Sequence, residues 1–76
     1  MNEPAPSPPS LELTVNGKRH ELPVHAMVAD LVREMVGEGV PVAVERNGAI
    51  VSRGDWRTTE LLTDDRVELV RFVQGG

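Results

Sequence analysis

Two Asn-Gly dipeptides, Asn16-Gly17 and Asn47-Gly48, bracket the one stretch of this sequence whose apolar residues recur with a helical period. Asn-Gly is favoured in two-residue hairpin turns because both central positions need positive φ, which glycine adopts freely and asparagine tolerates. Ahead of the first turn, Leu11, Leu13 and Val15 alternate with Glu12 and Thr14, the pattern of a half-buried strand. The return strand is expected over Lys18–Leu22 and is ended by Pro23, which has no N–H to give a sheet. Val42-Ala43-Val44 and Ala49-Ile50-Val51 flank the second turn in the same way.

Between the turns, apolar residues fall at Met27, Val28, Leu31, Val32, Met35 and Val36, with Asp30, Arg33 and Glu34 among them, which predicts an amphipathic helix. Gly37 stands where a helix ends in the left-handed region, and Pro41 prevents continuation. At the other end neither His25 nor Ala26 is a good N-cap. Ser52 to Thr59 reads as irregular chain with a short turn of helix. Asp64-Asp65 marks a tight turn before the last and most apolar strand, Val67–Val73.

A single amphipathic helix cannot hide its apolar face alone, so the chain is expected to be α+β, a mixed sheet of four to five strands with one helix packed across it. That packing predicts a core of Leu13, Val15, Leu31, Met35, Val44, Ile50, Leu62, Val67 and Leu69. Trp56 is expected to cap one end of it. The first ten residues hold four prolines and almost no large apolar side chain, so residues 1–10 are expected to be a flexible tail ahead of a domain over 11–72.

At 76 residues there is room for one domain and little for a buried catalytic pocket. The absence of cysteine excludes disulfides, thiolate metal sites and thiol nucleophiles. No apolar run is long enough to span a membrane and the N-terminus lacks a signal-peptide pattern, so a cytoplasmic protein is the expectation. Twelve acidic and eight basic residues give a net charge of −4, with the basic residues scattered, which argues against nucleic acid and for a positively charged protein partner. His20 and His25 have no third ligand nearby, and Asp64-Asp65 is accounted for by a turn. No nucleophile, base and orienting residue form a catalytic set.

The C-terminal end carries the functional signal. Alternation along the last strand puts Val67 and Leu69 against the helix and Glu68, Val70 and Phe72 on the opposite face. Exposed, Val70 and Phe72 would form a partner-docking patch beside the tail. Val73-Gln74-Gly75-Gly76 would extend about 13 Å at about 3.3 Å per residue, enough to enter another protein's active site. Two terminal glycines lack Cβ atoms, so the backbone can thread a narrow channel and a catalyst can approach the last carbonyl from either side.

Val42-Ala-Val with Asn47-Gly48, then Ile50-Val-Ser-Arg-Gly-Asp-Trp56, then Leu62 to Gly76 resembles the thiamine-pathway sulfur carriers, the ThiS family of ubiquitin-like β-grasp proteins. The resemblance covers Leu11 to Gly76. The family's usual Asp-Gly-Asp turn is Thr63-Asp64-Asp65 here, and the proline-rich start lies outside the pattern. The resemblance implies a carrier, not an enzyme, with the flexible tail 73–76 as its working part. A ThiF-type adenylyltransferase, using ATP and Mg²⁺, would adenylate the Gly76 carboxylate. Sulfur from a donor protein would then replace AMP, and the thiocarboxylate would feed the thiazole synthase ThiG. The carrier itself would bind no cofactor and no metal.

Related readings fit the same residues. The small subunit of molybdopterin synthase is similar in fold and tail, but that family usually has a proline-containing stretch before Gly-Gly, where this chain has Arg71-Phe-Val-Gln74. A ubiquitin-like modifier would have the same kind of tail, with an amine rather than sulfide capturing the activated end. A β-grasp interaction domain without terminal chemistry would not need Gly76.

Overall fold

The computed structural model describes residues 9–72 of the chain. The first hairpin joins β1 (Ser10–Val15) to β2 (Lys18–Pro23), followed by α1 (Val28–Met35). The second joins β3 (Val42–Arg46) to β4 (Ala49–Val51), then a single 3-10 turn over Arg53–Asp55 leads towards β5 (Arg66–Arg71). The strands lie in the order β2-β1-β5-β3-β4. The last strand is therefore central, parallel to β1 on one side and antiparallel to β3 on the other.

Both hairpins turn through positive φ as expected, at 49° and 82° for Asn16 and Gly17 and at 51° and 86° for Asn47 and Gly48. The two asparagines do more than turn the chain. Asn16 accepts the Leu69 N–H at 2.7 Å and donates to the Leu69 carbonyl at 3.3 Å. Asn47 accepts the Arg66 N–H at 2.8 Å and donates to the Asp65 carboxylate at 2.9 Å. Each hairpin tip thus holds one point of β5 with side-chain amide bonds.

The helix solves its N-terminal problem with tertiary partners. Met27 is the N-cap, and its N–H donates to Asp30 Oδ2 at 2.8 Å. The Val28 and Ala29 N–H groups, which have no intrahelical acceptor, donate at 2.9 Å to the carbonyls of Thr59 and Trp56. At the other end Gly37 has φ 103° and donates to the Val32 carbonyl at 3.1 Å, closing the helix where glycine predicted.

The core between helix and sheet contains Leu13, Leu31, Leu61, Val28, Val44 and Val67, all fully buried. Leu11, Val15, Leu22, Val32, Val42 and Leu69 join it, and Trp56 packs against its side, with the indole N–H donating to the Val51 carbonyl at 3.0 Å. Three expected core residues are instead exposed, Met35, Ile50 and Leu62. Met35 continues the apolar stripe of α1 but occupies its last turn, which reaches the surface. Ile50 points away from the helix because Val51 pairs with Val44 on the covered face, and alternation turns Ile50 to the other side. Leu62 yields its place to Leu61, whose N–H bonds to the Ala26 carbonyl and fixes which of the two neighbours enters the core.

Two further expectations are corrected. Strand β1 begins at Ser10, opposite Pro23, and the Pro9 carbonyl accepts the Val24 N–H, so ordered pairing reaches into the expected tail; residues 1–8 lie outside the described part. Asp65 is more than a turn residue. It is 6% exposed and bonds Arg46 Nε, the Asn47 amide and the Leu62 N–H at 2.8, 2.9 and 2.8 Å. Among the described residues no helix is long and apolar enough to cross a membrane.

Candidate docking face and tail strand

The pleat of β5 divides its residues cleanly. Val67 and Leu69 face the helix and are buried, whereas Glu68 and Val70 are exposed on the far side, and Phe72, one residue past the strand, is exposed as well. Val70 is 55% and Phe72 59% exposed, large apolar side chains left in water at and just past the end of a central strand. Pairing adds members the sequence reading did not include. Ala43 lies directly opposite Val70, Glu45 opposite Glu68, and Ile50 opposite Glu45 on the next strand out. Ile50 is 69% exposed. It was hidden from sequence reasoning because its neighbours Ala49 and Val51 are also apolar, so alternation gives no side for the segment.

The far face therefore has two halves. Across β5, β3 and β4 it carries Ala43, Ile50 and Val70 together with Glu45, Glu68 and Arg66, and across β1 and β2 it carries Glu12, Thr14, Arg19 and Glu21. Arg19 joins Glu12 and Asp64 at 3.0 and 3.4 Å, a network on the surface.

The strand that carries the chain towards its end is held firmly. Beyond the ladders with β1 and β3, the hairpin asparagines and Asp65 anchor it, and the Phe72 N–H donates to the Pro41 carbonyl at 3.3 Å. Burial pushes the Asp65 carboxyl up, but hydrogen bonds from Asn47, Leu62 and Arg46, with the Arg46 charge, outweigh it and hold the group below its ordinary value. Val73, Gln74, Gly75 and Gly76, the expected tail, lie outside the described residues.

A concavity of about 490 Å³ lies on the helix side and is lined by residues such as Arg33, Val40, Arg53, Trp56 and Arg57. None of these residues is in β5. His20 and His25 sit apart from that face, beside Glu34 and Glu60 respectively. Among the described residues no three His, Asp or Glu side chains gather as metal ligands.

Comparison with known proteins agrees with this architecture. The thiamine biosynthesis protein ThiS from Geobacter metallireducens superposes with a TM-score of 0.72 at 32% identity, over 87% of this chain and all 100% of that one. The shared arrangement is the β-grasp fold. A thiazole synthase from Magnetococcus marinus is 35% identical over 66 residues, which take in 87% of this chain and 20% of that protein. The chain thus spans about one fifth of the length of that curated relative. The profile of the ThiS family matches residues 12–76, from the first strand to the terminal glycine, and the chain belongs to the ThiS family.

Proposed function

We propose that the chain is the sulfur carrier of thiazole formation in thiamine biosynthesis, with the Gly76 carboxylate as the group that is loaded. The observation that carries this reading is a ThiS-family match running through to Gly76, on a fold whose last strand is central and anchored. A carboxylate is a poor electrophile. In the proposed cycle a carboxylate oxygen of Gly76 attacks the α-phosphorus of ATP, a new O–P bond forms and pyrophosphate leaves. Hydrosulfide, supplied through a donor protein, then attacks the acyl carbonyl; the C–O bond to AMP breaks and a thiocarboxylate remains. The ThiF-type enzyme provides Mg²⁺, the nucleotide site and the catalytic groups.

This chain's own contribution is to bind and to present. Val70 and Phe72 dock on the partner, and Val73, Gln74, Gly75 and Gly76 enter its active site, where the glycines leave the carbonyl open. ThiG-type thiazole synthase is the proposed acceptor, and a thiazole synthase that contains a segment similar to this chain supports that pairing.

The test is the intact mass of the chain after incubation with a ThiF-type enzyme, ATP, Mg²⁺ and sulfide, beside a Gly76-deleted control whose folding is checked by circular dichroism. The expected outcome is a gain equal to the difference between sulfur and oxygen in the full chain alone. No gain, with an enzyme proven active on another carrier, would overturn the proposal; adducts on lysines would favour a protein modifier instead.

A further inference from the structure

Three arginines far apart in sequence meet around the helix-side concavity. Arg33 belongs to α1, whereas Arg53 and Arg57 lie in and just after the 3-10 turn, and all three line the same hollow of about 490 Å³. The chain has eight basic residues and a net charge of −4, so this gathering runs against its overall charge. Arg33 is already engaged, by Asp30 at 3.3 Å and Glu38 at 3.8 Å. Among the described residues Arg53 and Arg57 have no ion-pair partner. Arg53 instead lies over the Trp56 ring, 5.9 Å from its centroid. Val32, Val40 and the half-buried Trp56 give the hollow an apolar wall.

Gly54 supplies an independent observation. It borders the hollow within the turn Arg53–Asp55, its φ is not positive, and a Cβ built on it meets no heavy atom within 4 Å. Neither backbone conformation nor packing within the chain calls for glycine there, and glycine in a helical turn costs stability relative to alanine. A bare backbone is useful where something from outside the chain approaches closely.

We propose that this concavity is a binding site for a small phosphorylated molecule, its phosphate held by Arg53 and Arg57 and its apolar or planar part lying against Val32, Val40 and Trp56. The planar guanidinium meets two phosphate oxygens at once, and two guanidiniums without carboxylate partners match the charge of a phosphate ester. Glu38, the acidic residue among those lining the hollow, sits with Arg33 and so leaves the positive charge on the Arg53 and Arg57 side. The volume falls within the range of about 300–1,000 Å³ usual for small-molecule sites, which selects a small ligand over an acidic protein surface. The assignment goes beyond the carrier reading and does not depend on it, since none of the lining residues belongs to β5.

The experiment titrates the full-length chain alone with ADP, inorganic phosphate and adenosine, following backbone amide NMR signals and the indole N–H of Trp56, the one tryptophan in the chain. ADP is expected to give saturable shifts centred on Arg53, Gly54, Trp56 and Arg57. Inorganic phosphate should bind about tenfold more weakly, and adenosine should leave these signals unmoved. Arg53→Gln and Arg57→Gln should each weaken ADP about tenfold, whereas Lys18→Gln, which removes the same charge elsewhere, should not. Gly54→Ala should keep or raise Tm and still weaken ADP, a combination that a purely structural role does not give. Added salt should weaken ADP binding. No saturable shift, or shifts centred on other residues, would overturn the site. An equal response to adenosine would overturn the phosphate as the recognised group, and wild-type affinity in the folded Arg57→Gln and Gly54→Ala variants would overturn the residue roles. Tighter binding of an oligoglutamate peptide than of ADP would overturn the choice of a small ligand.

Discussion

Asp65 shows how much one side chain can settle. It accepts hydrogen bonds from an arginine, an amide and a backbone N–H at the entrance to β5, and is almost wholly buried. Asp65→Ala leaves the Leu62 N–H, the Asn47 amide and Arg46 without their acceptor, and should lose about 1–3 kcal/mol of stability in urea denaturation. Because its pKa is lowered in the folded state, its contribution is full above the ordinary value of 3.8 and is lost as pH falls through the folded value. Denaturation midpoints measured from neutral pH downwards should therefore decline more steeply below about pH 4 in wild type than in Asp65→Asn. Adjacent Asp64 is exposed and has φ 68°, the left-handed position that makes the turn. Sequence reasoning could name the turn but could not divide the two roles, since nothing in Asp64-Asp65 records that Arg46 and Asn47 arrive beside only one of them.

At the scale of elements, the same residues serve local and tertiary ends at once. Asn16 satisfies a turn that needs positive φ and also bonds both the N–H and the carbonyl of Leu69. Asn16→Gly keeps the turn geometry and removes those bonds, so a loss of about 1–2 kcal/mol, read by chemical denaturation, would measure the bracing alone. The helix is short, at eight residues, and isolated helices of that length are marginal in water. It persists because Val28, Leu31 and Val32 are buried and because loop carbonyls receive its first N–H groups. Leu31→Ala should lose about 2–5 kcal/mol, with the cavity left beneath the helix adding to the lost burial.

For the whole molecule the decisive feature is that the sheet has one face covered by the helix and, among the described residues, one open face, with the last strand at its centre. The open face should tolerate change that the covered face does not. Ile50→Ser should alter stability by less than about 0.5 kcal/mol, within the usual range for surface positions. Val44→Ala, on the covered side of the neighbouring strand, should unfold at clearly lower denaturant. Finding Ile50→Ser as destabilising as Val44→Ala would mean that Ile50 supports the fold despite its exposure.

The sequence by itself determined both hairpin turns, the helix and its glycine stop, the outward aim of Val70 and Phe72, and the resemblance that the family match supports. Each depends on neighbours a few residues apart, through φ preferences and periods of two and 3.6 residues. Tertiary structure alone decided that β5 is central, that Ile50 faces outward, that Leu61 rather than Leu62 is buried, and that the helix start is capped by Trp56 and Thr59. The reason is common to all four. Three apolar residues in a row carry no alternation, two adjacent leucines carry no side, and a distant loop carbonyl that accepts a helix N–H leaves no mark beside that helix; only pairing between segments far apart in the chain selects among such equivalents.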